Sequence, residues 1–242
     1  GKSRIGISVA KTNSTDTSTL EGGIKDYVAC LKYLEEQNIA DYYTVNISCP
    51  NAFGGEPFTT KESLTALLMQ ISKINIKRPI FVKMPINLTF DKLDELLEVI
   101  YKYKLTGVIF GNLNKVRDPQ LIKDYIPENV IGNISGKPNE KLCNDLITYT
   151  YKNYGDKLII VGVGGIFTAE DAYEKIKRGA TLLEMITGMI FQGPQVIGEI
   201  NYGLAKLLKA DGFNNISQAI GSYHNQSDNP KNQPSMTSSI NQ

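Results

Sequence analysis

The segment best equipped for chemistry is Asn46-Ile-Ser-Cys-Pro-Asn51, a thiol between two amides. Pro50 has no N–H to give to a strand ladder, so the chain must turn outward there. The turn leaves Cys49 at a strand exit, flanked by hydrogen-bonding side chains, where a thiol can serve as base or nucleophile. The competing reading is a small buried Cys, the commoner fate of a free thiol. Cys30 and Cys143 lie in helical patterns and suit that reading. Lys83 interrupts the apolar run IFVKMP, and a buried ammonium needs an anionic or electron-rich partner. An edge strand with Lys83 facing water is its alternative. Gly162-Val-Gly-Gly165 follows a strand-like run, and its backbone N–H groups could cradle a phosphate. It lacks the third spaced glycine of a dinucleotide fingerprint. Thr187-Gly188, at the next strand end, strengthens the phosphate reading.

These residues recur at the ends of short, β-branched, continuously apolar runs. The expected strands are Arg4–Ala10, Tyr43–Ser48, Ile80–Met84, Gly107–Gly111, Leu158–Val163 and Thr181–Ile186. Helical spacing marks Gly23–Gln37, Ser63–Ile74, Phe90–Tyr103, Asn139–Lys152, Ala169–Arg178 and Val196–Lys209. Thr168 is a good N-cap with acids behind it, and Gly179 a good stop. Alternating strand and helix argues for α/β with a parallel sheet. All strand ends then open on one face, which carries Ser8, Asn46 to Asn51, Lys83, Asn112, Gly162 to Gly165 and Thr187-Gly188. Residues 225–242 are polar and rich in Asn, Ser and Pro, and are expected to be a disordered tail after a domain spanning 1–224.

Bulk properties exclude several classes. Lys plus Arg is 26 against 25 Asp plus Glu, so no basic surface points to nucleic acid. No apolar run approaches the roughly 18 residues of a membrane span. The cysteines are three and far apart, which suggests neither a disulfide framework nor a zinc site. A single histidine, His224, makes Ser-His-Asp hydrolysis and His-rich metal sites poor readings.

Taken together, NISCPN (46–51), FVKMP (81–85), Asn112, ISGKP (134–138), VGVGGIFTAEDAYEKIKRGATLL (161–183), MITGMIFQGP (185–194) and AIGSYH (219–224) resemble the dihydroorotate dehydrogenases. That resemblance implies a (β/α)8 TIM barrel with FMN across the strand ends, and oxidation of dihydroorotate to orotate in UMP synthesis. It implies that Cys49 takes the C5 proton while hydride leaves C6 for the flavin. It places Asn46, Asn51 and Asn112 on the pyrimidine, with Asn46 also close to the flavin. Lys83 resembles the lysine at the flavin N1/O2 edge, and Ser8, Asn112, Gly136, Gly164, Gly165, Thr187 and Gly188 fall where the family holds FMN. No metal is implied.

The departures concern the electron acceptor, which is left open among quinone, fumarate and NAD through a partner subunit. Cys49, Ser8–Ala10 and Pro85 are similar to the soluble class; ISGKP and VGVGGIFTAEDAYEKI are similar to the quinone-using class. Ser8 stands where the latter has an FMN-contacting Asn, Gly111 and Leu113 where it has Thr, and Ile186 where Tyr is common. A cytoplasmic location is expected, peripheral to a membrane if quinone-linked, and self-association into a homo-oligomer is left open. About six β/α units are visible rather than eight, so the first two strands, on about 90–120 further residues, are expected to be supplied from outside the sequence. Two rivals follow: a dihydropyrimidine dehydrogenase-like flavin domain, against which ISGKP and AIGSYH argue, and a non-catalytic FMN-binding barrel fragment.

Overall fold

The computed structural model describes residues 3–49, 55–122, 124–130 and 132–227. Six strands, β1 (Gly6–Ala10), β2 (Tyr42–Asn46), β3 (Ile80–Met84), β4 (Gly107–Phe110), β5 (Ile159–Gly162) and β6 (Leu182–Leu183), form one parallel sheet in sequential order. Helices α1 (Leu20–Gln37), α2 (Lys61–Ile71), α3 (Phe90–Lys102), α4 (Glu140–Tyr154) and α5 (Ala169–Arg178) supply the crossovers. The result is a half-barrel: among the described residues β1 pairs only with β2, and β6 only with β5.

The strands read as continuously apolar because both faces are covered. Tyr43, Val45, Val82, Met84, Val108, Phe110 and Ile160 face outward and bury against Leu31, Leu64, Leu67, Leu96, Ile100 and Ile147 of the helices. The alternate residues Phe81, Ile109 and Val161, with Tyr42 and Val163, form a separate inner cluster. Each buried aliphatic side chain of the outer layer contributes roughly 1.5–3 kcal/mol.

The strands and helices agree with the expected runs to within a few residues, except at the end of the sheet. β6 has two residues instead of the expected six. It is bonded on one side only, and the chain turns into α6 (Thr187–Gln192) soon afterwards. α7 (Val196–Ala210), α8 (Ile216–Ala219) and α9 (Ser222–Ser227) follow. α7 packs on α5 through Val196, Ile200, Ala172 and Ile166. The tail boundary expected at 225 falls inside α9, while residues 228–242 lie outside the described residues.

Candidate functional site

The parallel register brings the first two site residues together. Asn46 pairs with Lys83 across β2 and β3, and Thr44 with Phe81 below them. Phe81 belongs to the inner cluster, so two-residue alternation aims Lys83 and Asn46 inward as well. Ala10 is the β1 partner of Asn46; Ser8 pairs with Thr44, one layer deeper along the strand. Ser8 is therefore not at the level of Asn46 and Lys83.

Beyond β2, hydrogen bonds fix the loop that carries the thiol. The Tyr27 hydroxyl donates to the Asn46 carbonyl at 2.6 Å. Burial pushes the Tyr27 phenol well above its ordinary value, which keeps it a donor. Asn46 Oδ1 accepts from Ser48 N at 3.3 Å and Ser48 Oγ at 3.0 Å. Asn112 Nδ2 donates to Ser48 O and, at 2.6 Å, to Ser48 Oγ. Its Oδ1 accepts from Leu113 N at 2.8 Å. The Asn112 amide, expected to face substrate, thus clamps the 46–49 loop to the exit of β4. Cys49 is half-buried and follows Ser48 directly. Asn51 lies outside the described residues.

A cavity of about 190 Å³ opens at the ends of β4, β5 and β6, and its wall includes Lys83, Asn112, Gly136, Gly164, Gly165, Thr187 and Gly188. Ser8, Asn46 and Cys49 are not on that wall; Asn46 and Cys49 connect to it through Ser48 and Asn112. A second cavity of about 410 Å³ adjoins it along Lys83, Val163, Ile166, Met185 and Ile186. Together they reach the size of small-molecule sites, roughly 300–1,000 Å³.

Local sequence explains the wall. Gly165 has φ +75°, and a Cβ there would lie 2.5 Å from Glu140 Cβ, so the turn approaches α4 as only glycine allows. Gly136, at φ +80°, brings its backbone against Thr187, where a Cβ would meet Cγ2 at 2.8 Å. Thr187 Oγ1 donates to Ser135 Oγ at 3.2 Å and joins the two loops. The Thr168 hydroxyl accepts from Asp171 N at 3.2 Å, and Asp171 accepts in return from Thr168 N at 3.1 Å and Phe167 N at 2.9 Å. These residues cap α5, worth about 1 kcal/mol, and Asp171 is held ionised by Lys137 at 2.6 Å.

Three contributors were not anticipated. Asn139 is buried, lines the smaller cavity, and donates from Nδ2 to Asn112 O at 3.0 Å and Ile134 O at 2.9 Å. Glu184 lines the larger cavity beside Lys83, and burial raises its carboxyl pKa while Lys83 lowers it. Ser48 was overlooked because a serine beside a cysteine carries no signal of its own. Among the described residues no cluster of His, Cys, Asp and Glu could hold a metal, and no helix is long and apolar enough to cross a membrane.

The wall fits a flavin mononucleotide. It offers backbone donors for a phosphate at Gly165 and Gly188, and a cation at Lys83.

A family profile described as dihydroorotate dehydrogenase matches residues 2–208. Curated relatives named dihydroorotate dehydrogenase (quinone) are 37% identical over 225 residues in Crocosphaera subtropica, 38% over 227 in Rippkaea orientalis and 35% over 226 in Anaeromyxobacter dehalogenans. These alignments cover 90–92% of the chain, which spans only 58–60% of the relatives' length. The crystal structure of DHODH in complex with ferulenol from Eimeria tenella is similar at a TM-score of 0.74 and 25% identity, over 83% of this chain and 58% of that one. The ligand-free type from the same organism shares the fold at a TM-score of 0.77 and 24% identity, over 91% of this chain and 64% of that one.

Proposed function

The chain belongs to the dihydroorotate dehydrogenase family, and on that premise we propose that it binds FMN at the strand ends and oxidises dihydroorotate to orotate, the redox step of UMP biosynthesis. One observation carries the reading. Lys83, Asn112, Gly136, Gly165 and Thr187 meet on one cavity wall, and the Asn112–Ser48 clamp ties that wall to the loop bearing Cys49.

Backbone N–H groups at Gly165, Thr187 and Gly188 hold the phosphate. Gly136 lets the ligand lie close to the backbone. Asn46, whose Oδ1 is occupied by Ser48, presents its Nδ2 to the ligands. Asn51 and Asn112, the latter through Oδ1 because Ser48 takes its Nδ2, complete the amides around the pyrimidine. Cys49, as thiolate, takes the C5 proton of dihydroorotate as the C5=C6 bond forms. When bound, the flavin supplies the two-electron acceptor for the hydride lost from C6. The Lys83 ammonium sits where negative charge arrives and stabilises it. The edges of β1 and β6, unpaired on their outer sides among the described residues, take up two further strands, which complete the eight-stranded barrel.

A quinone is the favoured acceptor, in line with the names of the curated relatives. A cytoplasmic protein working at a membrane surface would suit it. The test is anaerobic: dihydroorotate should bleach the bound flavin, and a short-chain quinone should restore the colour faster than fumarate or NAD. Bound flavin that dihydroorotate leaves yellow would favour the non-catalytic fragment instead. Restoration by fumarate or NAD at equal rates would remove the quinone assignment while leaving the first half-reaction intact.

A further inference from the structure

We propose that Glu184 tunes the redox step: its carboxylate offsets the Lys83 ammonium and holds the flavin's reduction potential below the value that Lys83 alone would set. This rests on the flavin reading of the strand ends and extends it to a residue that reading does not use.

Leu183 packs against the clusters around Ala172 and Ile176 of α5, so two-residue alternation turns Leu182 and Glu184 to the interior. Glu184 N donates to Gly162 O at 3.0 Å, which keeps the residue on the ladder past the end of β6. Lys83 faces the same interior from β3. The two share the wall of the 410 Å³ cavity, where they are the charged residues among the described lining. Lys83 also lines the smaller cavity with Gly165, Thr187 and Gly188. The cation read as the flavin's therefore has an acid on its own wall. That wall is otherwise apolar except for Tyr42 and Asn201, and apolar walls screen a charge poorly. Reduction brings negative charge to the flavin; an ammonium favours it and a carboxylate opposes it. An ionised Glu184 thus makes the reduced flavin a stronger donor to the second acceptor. The titratable groups facing Glu184 are Lys83 and, from β2, Tyr42; Arg4 and Asp41 lie across the amino-terminal cavity, paired with each other. Burial raises the Glu184 carboxyl and Lys83 lowers it, with burial the larger. Burial, and next Glu184, raises the Tyr42 phenol, which stays neutral.

The experiment measures the reduction potential of bound FMN, by equilibration with a reference dye, in the full chain, Glu184→Gln and Glu184→Asp. Gln keeps the shape and removes the charge; Asp keeps the charge. At about pH 8 the Gln variant should move the equilibrium about tenfold toward reduced flavin, ~30 mV upward for a two-electron couple. The Asp variant should stay near the unaltered chain. The gap between Gln and Glu should shrink toward about pH 5, because a carboxyl with a raised pKa is taking up its proton there. No shift at about pH 8, or a shift downward, would overturn the proposal. A shift of equal size at both pH values would overturn it too, since packing rather than charge would then be its source. FMN that fails to bind the unaltered chain would refute the flavin reading and the proposal with it, and is told apart from the other failures by the colourless protein.

Discussion

The two ends of this half-barrel are built from the same strands and differ in every other respect. At the amino-terminal mouth, Tyr42, Pro79, Phe81, Ile109, Ile159, Val161 and Leu182 surround a cavity of about 630 Å³. Its polar residues are Arg4, Asp41, Thr106 and Glu184, of which Arg4 and Asp41 pair with each other at 3.0 Å. At the carboxy-terminal rim the cavity is about 190 Å³, but glycines, amides and a lysine line it, and a continuous hydrogen-bond chain runs from Tyr27 to Asn139. Volume therefore misleads here. A mostly apolar mouth can hold together a barrel, while the rim gathers glycines, amides and a lysine around one cavity. The difference is what parallel strands impose: every strand leaves the sheet at the rim, where loops are free to carry chemistry.

The sharpest way to break this contrast is at the thiol. Cys49→Ala should slow flavin reduction by dihydroorotate about 100-fold or more, a typical general-base contribution, with FMN affinity unchanged. Stopped-flow absorbance follows the first and fluorescence titration the second. Cys49→Ser should keep part of the rate with a more alkaline optimum, since a hydroxyl is a weaker acid than a thiol. Near-normal rates in the alanine variant would remove Cys49 from the chemistry.

A paired substitution then compares the ends directly. Gly165→Ala puts a Cβ 2.5 Å from Glu140 Cβ in a left-handed conformation. Strain of about 1–3 kcal/mol should weaken FMN binding about 10- to 100-fold. Phe81→Leu at the other end should cost about 1 kcal/mol of stability and leave FMN affinity within about twofold. Thermal melts and titrations of both variants decide it; a large flavin effect from Phe81→Leu would mean the two cavities act as one.

Most of the scaffold was legible in the sequence because strand and helix periods are local. β3 was read to the residue, and α5 announced itself through Thr168, its acids and Gly179. α6 was not legible. Its run from Thr187 follows TLLEMI, whose apolar character suits a strand, yet β6 gains hydrogen bonds on one side only and gives way after Leu183. Asn139 was missed for a different reason. It sits in a turn next to Pro138, where a polar residue says nothing, and its meaning depends on carbonyls at residues 112 and 134 that only folding brings near. Ser8 stands where the quinone-using class has an FMN-contacting Asn, and the register sets it a layer below Asn46, a depth that the sequence alone does not show.

The smallest expected effect lies where the two ends meet. Glu184 follows β6 and lines both the amino-terminal cavity and the cavity beside Lys83. Burial raises its carboxyl pKa, and the pull of Lys83 in the opposite direction does not cancel that. A carboxyl whose folded value lies above its unfolded value contributes its stability below the unfolded value, and that contribution is lost as pH rises through the folded one. At about pH 7 the carboxylate is therefore a burden that a neutral amide would not carry. Glu184→Gln should melt a few degrees higher than the unaltered chain near neutrality, roughly what a fraction of a kcal/mol to 1 kcal/mol gives in a domain of this size. The gap should close as pH falls below the ordinary carboxylate value of 4.5, where both proteins carry a neutral side chain. Melting curves across that range measure it. A gap that is absent at neutrality, or that persists in acid, would show Glu184 to be well hydrated, and the boundary between apolar mouth and polar rim would then lie below β6 rather than at it.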